Sequence, residues 1–169
     1  MLRRLKVEVE KLMPKKVETV VRCPLSTCQI YWYKSLMLKD MSLLSNLDSE
    51  SEDNASAGRY KQLNNLVVQL RKVCNHPYLF KHAEPNPEET TAKQLCEASG
   101  KLAVLDNLLY HLINAKQGHR VVIFSQYTQV LDIIDDYCNM RGWEYCRLDG
   151  STSRVKRSVL VNQFNAPGS

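Results

Sequence analysis

Two short, hydroxyl-rich tetrapeptides are the residues of this sequence best suited to binding chemistry: Ser125-Gln126-Tyr127-Thr128 and Asp149-Gly150-Ser151-Thr152. Each follows an apolar run and opens a helical pattern. A helix N-terminus presents unpaired N–H groups and the positive end of the helix dipole, which suits a phosphate. Gly150, lacking a Cβ, lets another backbone approach closely. Arg154, Lys156 and Arg157 follow directly. The pair reads either as two adjacent phosphate cradles or as two ordinary capped turns, and the residues alone leave both open.

Other constellations are poorer in chemistry. Ser99-Gly100-Lys101 lacks the earlier Gly and the Ser or Thr after Lys that a phosphate-binding P-loop requires. Asp135-Asp136 falls inside a helical pattern with no metal-ligand spacing. Cys74-Asn75-His76 sits at a helix end, where a thiol and an imidazole rarely align as nucleophile and base. His76 is expected to be a buried imidazole bonding nearby backbone. Tyr31, Trp32 and Tyr33 are expected to pack in the core rather than to stack on bases. The six cysteines form no Cys-x-x-Cys pair, which argues against a zinc or redox motif and for reduced thiols of a cytosolic or nuclear protein.

The elements that must hold these residues are legible from periodicity. Leu2, Leu5, Val9 and Leu12 share a helical face, and Pro14 stops that helix. Val17 to Arg22 is rich in β-branched residues and predicts a strand. Ser26 and Gln29 have the spacing of a capping box, opening a helix to about Leu44 with Ile30, Tyr33, Leu36 and Met37 inward. Residues 46–58 are acidic and Ser-rich and read as a mobile loop. A third helix runs from about Tyr60 to Val73, with Leu63, Leu66, Val67 and Leu70 spaced for a core face, and residues 83–98 read as a surface linker. Ser99 then caps a helix carrying Leu102, Leu105, Leu108, Leu109 and Leu112, with Gly118 as its C-terminal stop. The run 120–124 predicts a strand buried on both faces. Thr128 caps a helix to Met140 closed by Gly142, 144–148 is a second strand, and a last helix spans 153–164. The order strand–loop–helix–strand–loop–helix implies a parallel α/β unit with right-handed crossovers, whose ligands bind beyond the carboxyl ends of the strands, where both tetrapeptides lie.

Composition sets the frame. Hydrophobic residues are 44% and charged residues 24% of 169, ordinary for a soluble globular protein. No apolar run approaches the roughly 18 residues a bilayer span needs, and the N-terminus has no apolar stretch of a secretory signal. The net charge of +5 is uneven: residues 46–58 hold four carboxylates and no cation, leaving 23 basic residues against 14 acidic ones elsewhere. Basic clusters at Arg3, Arg4, Lys6, Lys11, Lys15 and Lys16 and at Arg147, Arg154, Lys156 and Arg157 fit a polyanionic partner or a solvated surface. The predicted strands at 120–124 and 144–148 make too small a sheet to cover their own faces and edges. The chain is therefore expected to be cut within a domain.

Several motifs in order carry a family resemblance. Leu70-Arg-Lys-Val-Cys-Asn-His-Pro-Tyr-Leu-Phe80, Ser99-Gly-Lys101 with its Leu-rich helix, Val121-Val-Ile-Phe-Ser-Gln126, and Tyr145-Cys-Arg-Leu-Asp-Gly-Ser-Thr152 with Arg157 and Phe164-Asn165 resemble Snf-type chromatin-remodelling ATPases. Lys39-Asp40, Ala83-Glu84-Pro85 and Trp143-Glu-Tyr-Cys-Arg-Leu148 look most like the imitation-switch subgroup. The resemblance implies a motor of two RecA-like lobes that binds ATP and Mg²⁺ between them and tracks along double-stranded DNA on a nucleosome, in the nucleus. Residues 1–98 would be a helical elaboration of the second lobe with a strand leading into it, and 99–169 the first part of a RecA-like (P-loop NTPase type) parallel sheet with flanking helices, truncated. Ser125, Gln126 and Thr128 would lie near the tracked strand. Gly150, Ser151 and Thr152 would contact phosphates, with Arg154 and Arg157 beside them. The boxes that cradle ATP would belong to a first lobe outside this chain, and the Gly-rich and arginine-finger motifs of the second lobe are expected to follow Ser169, so no ATPase activity is expected from this chain alone. A non-catalytic DNA- or histone-binding chain, a related DNA-repair or transcription translocase, and an unfolded gene fragment are the other readings.

Overall fold

The computed structural model describes residues 14–45, 52–115 and 119–166, together with Arg3, Leu5 and Val9; side chains of 39–45 and 52–63 are outside the description. The expected helix over 2–12 falls largely outside the described residues, and so does Gly118.

Among the described residues, six α-helices and one 3-10 turn follow in order: α1 (Thr27–Ser45), α2 (Glu52–Asn75), the 3-10 turn (Pro77–Leu79), α3 (Ala92–Ala98), α4 (Gly100–Asn114), α5 (Thr128–Arg141) and α6 (Arg154–Asn165). Helix α1 packs on α2, α3 on α4 and α5, and the 3-10 turn on α1 and α2. The core gathers Leu95 and Cys96 of α3, Leu102 and Leu109 of α4, and Tyr137 and Cys138 of α5. Val121 and Ile123 close it from one side.

The capping box at the start of α1 is formed reciprocally. The Gln29 N–H donates to Ser26 Oγ at 3.1 Å, and the Ser26 N–H donates to Gln29 Oε1 at 2.9 Å. Gln29, 1% exposed, is the centre of the buried face, with Trp32 and Leu36 along the same stripe. Ile30 and Tyr33, expected inward, are exposed, whereas Leu36 and Met37 are half-buried. Hydrogen bonds of Gln29 fix the rotation of the helix, and an apolar pattern does not register a buried amide. Of the three neighbouring aromatics, Trp32 packs, stacked on Phe80 with centroids 5.0 Å apart, and Tyr31 and Tyr33 face outward.

Four further expectations are corrected. The acidic stretch 46–58 is helical from Glu52 onward, and 46–51 lies outside the described residues. Ala55 and Ala57 are strong helix formers, which favours the helix over this stretch. The linker 83–98 contains α3, capped by a second reciprocal box between Thr91 and Gln94 and anchored by buried Leu95, Cys96 and Ala98. In the third helix, Val67 is exposed and the buried anchor is Val73. No β-strand is formed among the described residues. Residues 17–22 are unpaired, with Val20 89% exposed.

The parallel sheet over 120–124 and 144–148 is likewise not paired: no backbone hydrogen bond joins the two segments. Side chains of 121–124 alternate, Val121 and Ile123 on the core and Val122 and Phe124 outward, with Phe124 91% exposed. That is the period of an extended chain covered by helices on one face only, instead of the continuous burial expected. Arg120 donates to the carbonyl of Ala166 at 2.5 Å, tying the start of this run to the end of α6.

Candidate nucleic-acid interface

The two tetrapeptides differ in how much of their polarity is spent internally. Ser125 closes the first loop on itself: its Oγ accepts the Tyr127 N–H at 3.2 Å and donates to the Tyr127 carbonyl at 3.1 Å. Tyr127, not Thr128, is the N-cap residue of α5, and it makes no side-chain cap. The first turn of α5 is thus open, with Thr128 exposed at its head. Gln126 is exposed and its Oε1 accepts from an Arg71 guanidinium N–H at 2.5 Å, while that guanidinium stands over the Tyr127 ring at 5.1 Å.

The second loop is organised around Asp149. Its Oδ1 accepts from the Ser151 N–H at 2.9 Å and from the Ser151 hydroxyl at 2.6 Å, and the Thr152 N–H closes the turn onto the Asp149 carbonyl at 3.2 Å. The Thr152 Oγ1 accepts the Asp149 N–H at 3.1 Å. Bonds from Ser151, and then Arg147, hold the Asp149 carboxyl down at about 2. The hydroxyls expected to face a phosphate are therefore engaged with an internal carboxylate. Gly150 has open space around its Cα, and α6 begins after Ser153, whose Oγ accepts the Lys156 N–H at 3.3 Å. Arg154 and Arg157 are exposed.

Arg147 connects the second loop to α5. Its guanidinium donates to Asp132 Oδ1 and Asp135 Oδ2, both at 2.6 Å, and to Asp149 Oδ2 at 3.0 Å. The carboxylates, Asp135 foremost, keep it protonated well above its usual range. Asp132 is one turn beyond Thr128, so this clamp sets the turn 149–152 against the N-terminal half of α5.

The remaining candidates resolve as structure. His76 is 2% exposed, with Nε2 3.0 Å from the Leu95 carbonyl and Nδ1 accepting the Tyr78 N–H at 3.1 Å. This is the buried imidazole on backbone that its position suggested. Burial pushes its pKa below the usual histidine range. Burial also raises the thiols of Cys28, Cys138 and Cys96, the last to about 11, which keeps them protonated and unreactive. In Ser99-Gly100-Lys101, the Ser99 Oγ donates to the Asn75 carbonyl at 2.8 Å, the Gly100 N–H to Gln29 Oε1 at 3.0 Å, and Lys101 Nζ to Asn75 Oδ1 at 2.9 Å. All three are engaged by groups of the chain itself, so the residues do not fit a nucleotide phosphate. Among the described residues no group of three His, Cys, Asp or Glu could hold a metal ion, and no helix is long and apolar enough to cross a membrane.

Arg71 is the residue that motif reasoning passed over. It lies within the run 70–80, but only the fold brings it across 55 positions to Gln126.

The same architecture occurs in known proteins. The SWI2/SNF2 ATPase C-terminal domain of Sulfolobus solfataricus superposes with a TM-score of 0.71 at 23% identity, over 90% of this chain and 60% of that one. Residues 100–169 match the helicase conserved C-terminal domain, and residues 1–79 match the SNF2-related domain. These matches define a helicase-like, SNF2-related class. The chain belongs to the SNF2-related family of chromatin-remodelling ATPases. It is 46% identical, along its whole length, to the human SWI/SNF-related matrix-associated actin-dependent regulator of chromatin subfamily A member 1 and to the Saccharomyces cerevisiae ISWI chromatin-remodeling complex ATPase ISW2. It spans 15% and 14% of their respective lengths.

Proposed function

We propose that this chain is part of an ATP-dependent DNA translocase that remodels nucleosomes, and that it supplies the first part of the second RecA-like lobe. In this reading residues 1–98 elaborate that lobe and 99–169 begin its helicase-type domain. Double-stranded DNA is the polyanion its basic surface meets, histones and a first lobe are its other partners, and the nucleus is its compartment. ATP and Mg²⁺ serve the whole motor and are held by residues outside this chain. The chain alone turns over no ATP.

DNA contact is assigned to Ser125, Gln126, Thr128, Gly150, Ser151, Thr152, Arg154 and Arg157. The observation that supports it most is the Arg147 clamp, which joins the second turn to α5 near that helix's uncapped N-terminus. The two loops then divide the work. The open first turn of α5 offers N–H groups and the Thr128 hydroxyl to a phosphate. Gly150 offers room for close approach, and Arg154 and Arg157 supply charge. Ser151 and Thr152 can reach a phosphate only by exchanging Asp149 for it.

Fluorescence anisotropy of the 169-residue chain with duplex DNA over a salt series tests this. The affinity should fall linearly on logarithmic axes, and replacing Arg154 and Arg157 by Gln should reduce the slope by about 0.9 for each phosphate no longer neutralised. A slope that those replacements leave untouched would remove these cations from the interface. DNA-stimulated ATP turnover by the purified chain would overturn the assignment of the chemistry to residues elsewhere.

A further inference from the structure

Arg71 stands at the C-terminal end of α2, in the half of the chain matched to the SNF2-related domain, and its guanidinium reaches into the half matched to the helicase domain. It makes two contacts there and both fall on one loop: a 2.5 Å hydrogen bond to Gln126 Oε1 and a 5.1 Å approach to the Tyr127 ring. The two contacts constrain different things. A hydrogen bond to the amide oxygen sets the Gln126 side chain so that its NH₂ group points away from Arg71. A guanidinium over an aromatic face holds the Tyr127 ring flat beneath it. Tyr127 is also the residue whose backbone the Ser125 hydroxyl grips on both sides, and its own carbonyl starts α5 by accepting from Val130 at 3.1 Å. Arg71 therefore bears on the loop at the point where the uncapped helix begins.

The same guanidinium forms part of the wall of a cleft of about 420 Å³ lined by Asn75, Lys101 and Ser125 as well. Lys101 is committed to Asn75 across that cleft, as Arg71 is to Gln126. Both bonds join the helical half to the helicase half, and in each the acceptor is an uncharged amide oxygen, so neither cation is neutralised by the group it holds.

We infer that Arg71 is a positioning residue for DNA contact: it orients Gln126 and Tyr127 so that the Gln126 amide and the head of α5 face the nucleic-acid backbone. The inference rests on the DNA-binding reading above. It adds that the helical half sets the conformation of the contacting loop without itself touching a phosphate. Lys is not an adequate replacement, because a compact ammonium on a flexible stem cannot present a planar fork to the amide and a flat face to the ring together.

Anisotropy with duplex DNA on R71K, R71A, Q126A and the R71K/Q126A pair, each over a salt series, decides it. R71K and Q126A should each raise Kd about threefold to tenfold, the range of a broken hydrogen bond with its geometry. The pair should lose clearly less affinity than the sum of the two single effects, since the Arg71–Gln126 bond is common to both. The salt slope should stay at the wild-type value in all four. A slope that falls by about 0.9 in R71A, with R71K restoring binding, identifies Arg71 as a direct phosphate ligand and overturns the inference. Additive effects in the pair overturn it as well. If the wild-type chain does not bind duplex DNA, the DNA-binding reading fails by itself. Amide hydrogen exchange at Gln126 and Tyr127 then isolates the positioning claim: faster exchange there in R71K, with α4 unchanged, upholds it, and unchanged exchange at both overturns it.

Discussion

Gly100 donates its backbone N–H to Gln29 Oε1 at 3.0 Å, and a Cβ at position 100 would lie 1.7 Å from the carbonyl oxygen of Pro24. The two halves of the chain meet at that point with no space for a side chain. Around it the junction is closed by buried polar groups. Gln29 also accepts from the Ser26 N–H and donates to the Val73 carbonyl at 2.8 Å, and the Ser26 hydroxyl donates to the Ala98 carbonyl at 2.6 Å. One amide side chain satisfies backbone groups on α2 and α4 and just before α1, so the start of α4 is fixed relative to both preceding helices.

Gln29→Ala leaves the Gly100 N–H and the Val73 carbonyl buried without partners, and should cost about 2–4 kcal/mol by the desolvation of those groups. Gly100→Ala should cost about 3 kcal/mol, because its Cβ meets backbone and not a movable side-chain end. Urea unfolding followed by circular dichroism checks both: the midpoint should fall with the slope preserved. A Gly100→Ala protein as stable as wild type would mean that the Pro24 segment yields freely.

Acid should loosen the same junction through His76. Its Nδ1 must be unprotonated to accept the Tyr78 N–H, and burial favours that neutral form. The folded-state pKa is below the unfolded value of 6.5, so the unfolded chain binds the proton more readily. The contribution is complete above about pH 6.5 and is lost as pH falls from there towards the folded value, with a slope of at most about 1.4 kcal/mol per pH unit. His76→Leu should be less stable at pH 7.5 and should lack the slope that begins below about pH 6.5. Chemical denaturation at closely spaced pH values measures it, and an equal slope in both proteins would remove His76 as its source.

These residues show what the sequence carried. The Ser26–Gln29 box, the Ser99 cap, the Gly142 stop and the structural role of His76 were all legible, because caps and helix ends are local chemistry with fixed spacing. Rotation of α1 was not, since Gln29 is a polar residue at a position where periodicity looks for an apolar one. Helix α3 was missed because seven residues show little periodicity, although its Thr91–Gln94 box was readable. At the candidate interface, both loops and the basic residues were found from composition. What the hydroxyls bind was not, because Ser151 and Thr152 answer to Asp149 within the turn, and the Arg71–Gln126 bond joins residues 55 positions apart.

Tyr137, fully buried in α5, donates its hydroxyl to Asp106 Oδ1 at 2.5 Å, and Arg141 binds both oxygens of the same carboxylate at 2.6 and 2.8 Å. This clasp fixes the C-terminal half of α5 to α4. Tyr137→Phe keeps the ring against Trp143 and should cost about 2 kcal/mol for the hydrogen bond to a charged acceptor. Asp106→Ala should cost more than that, as it strands the buried hydroxyl and the guanidinium together. In the double variant the two costs should not add. Thermal melting of the three proteins reads this directly, and additive costs would show that the hydroxyl and the carboxylate stabilise the chain separately.

Arg147 binds three carboxylates at the edge assigned to DNA and offsets one of their three charges. Arg147→Ala removes one cation, but its larger effect should be to leave Asp132, Asp135 and Asp149 uncompensated beside the incoming phosphates. It should raise Kd for duplex DNA about tenfold at low salt, with the deficit shrinking as salt screens the repulsion. Arg147→Lys should recover only part, because one ammonium cannot span three acceptors held by a planar fork. Asp132→Asn in the Arg147→Ala background should restore some binding, since Asp132 is the most exposed of the three carboxylates. Had the clamp no bearing on the interface, Arg147→Ala would lower the melting temperature yet bind DNA as wild type does, and Asp132→Asn would change nothing.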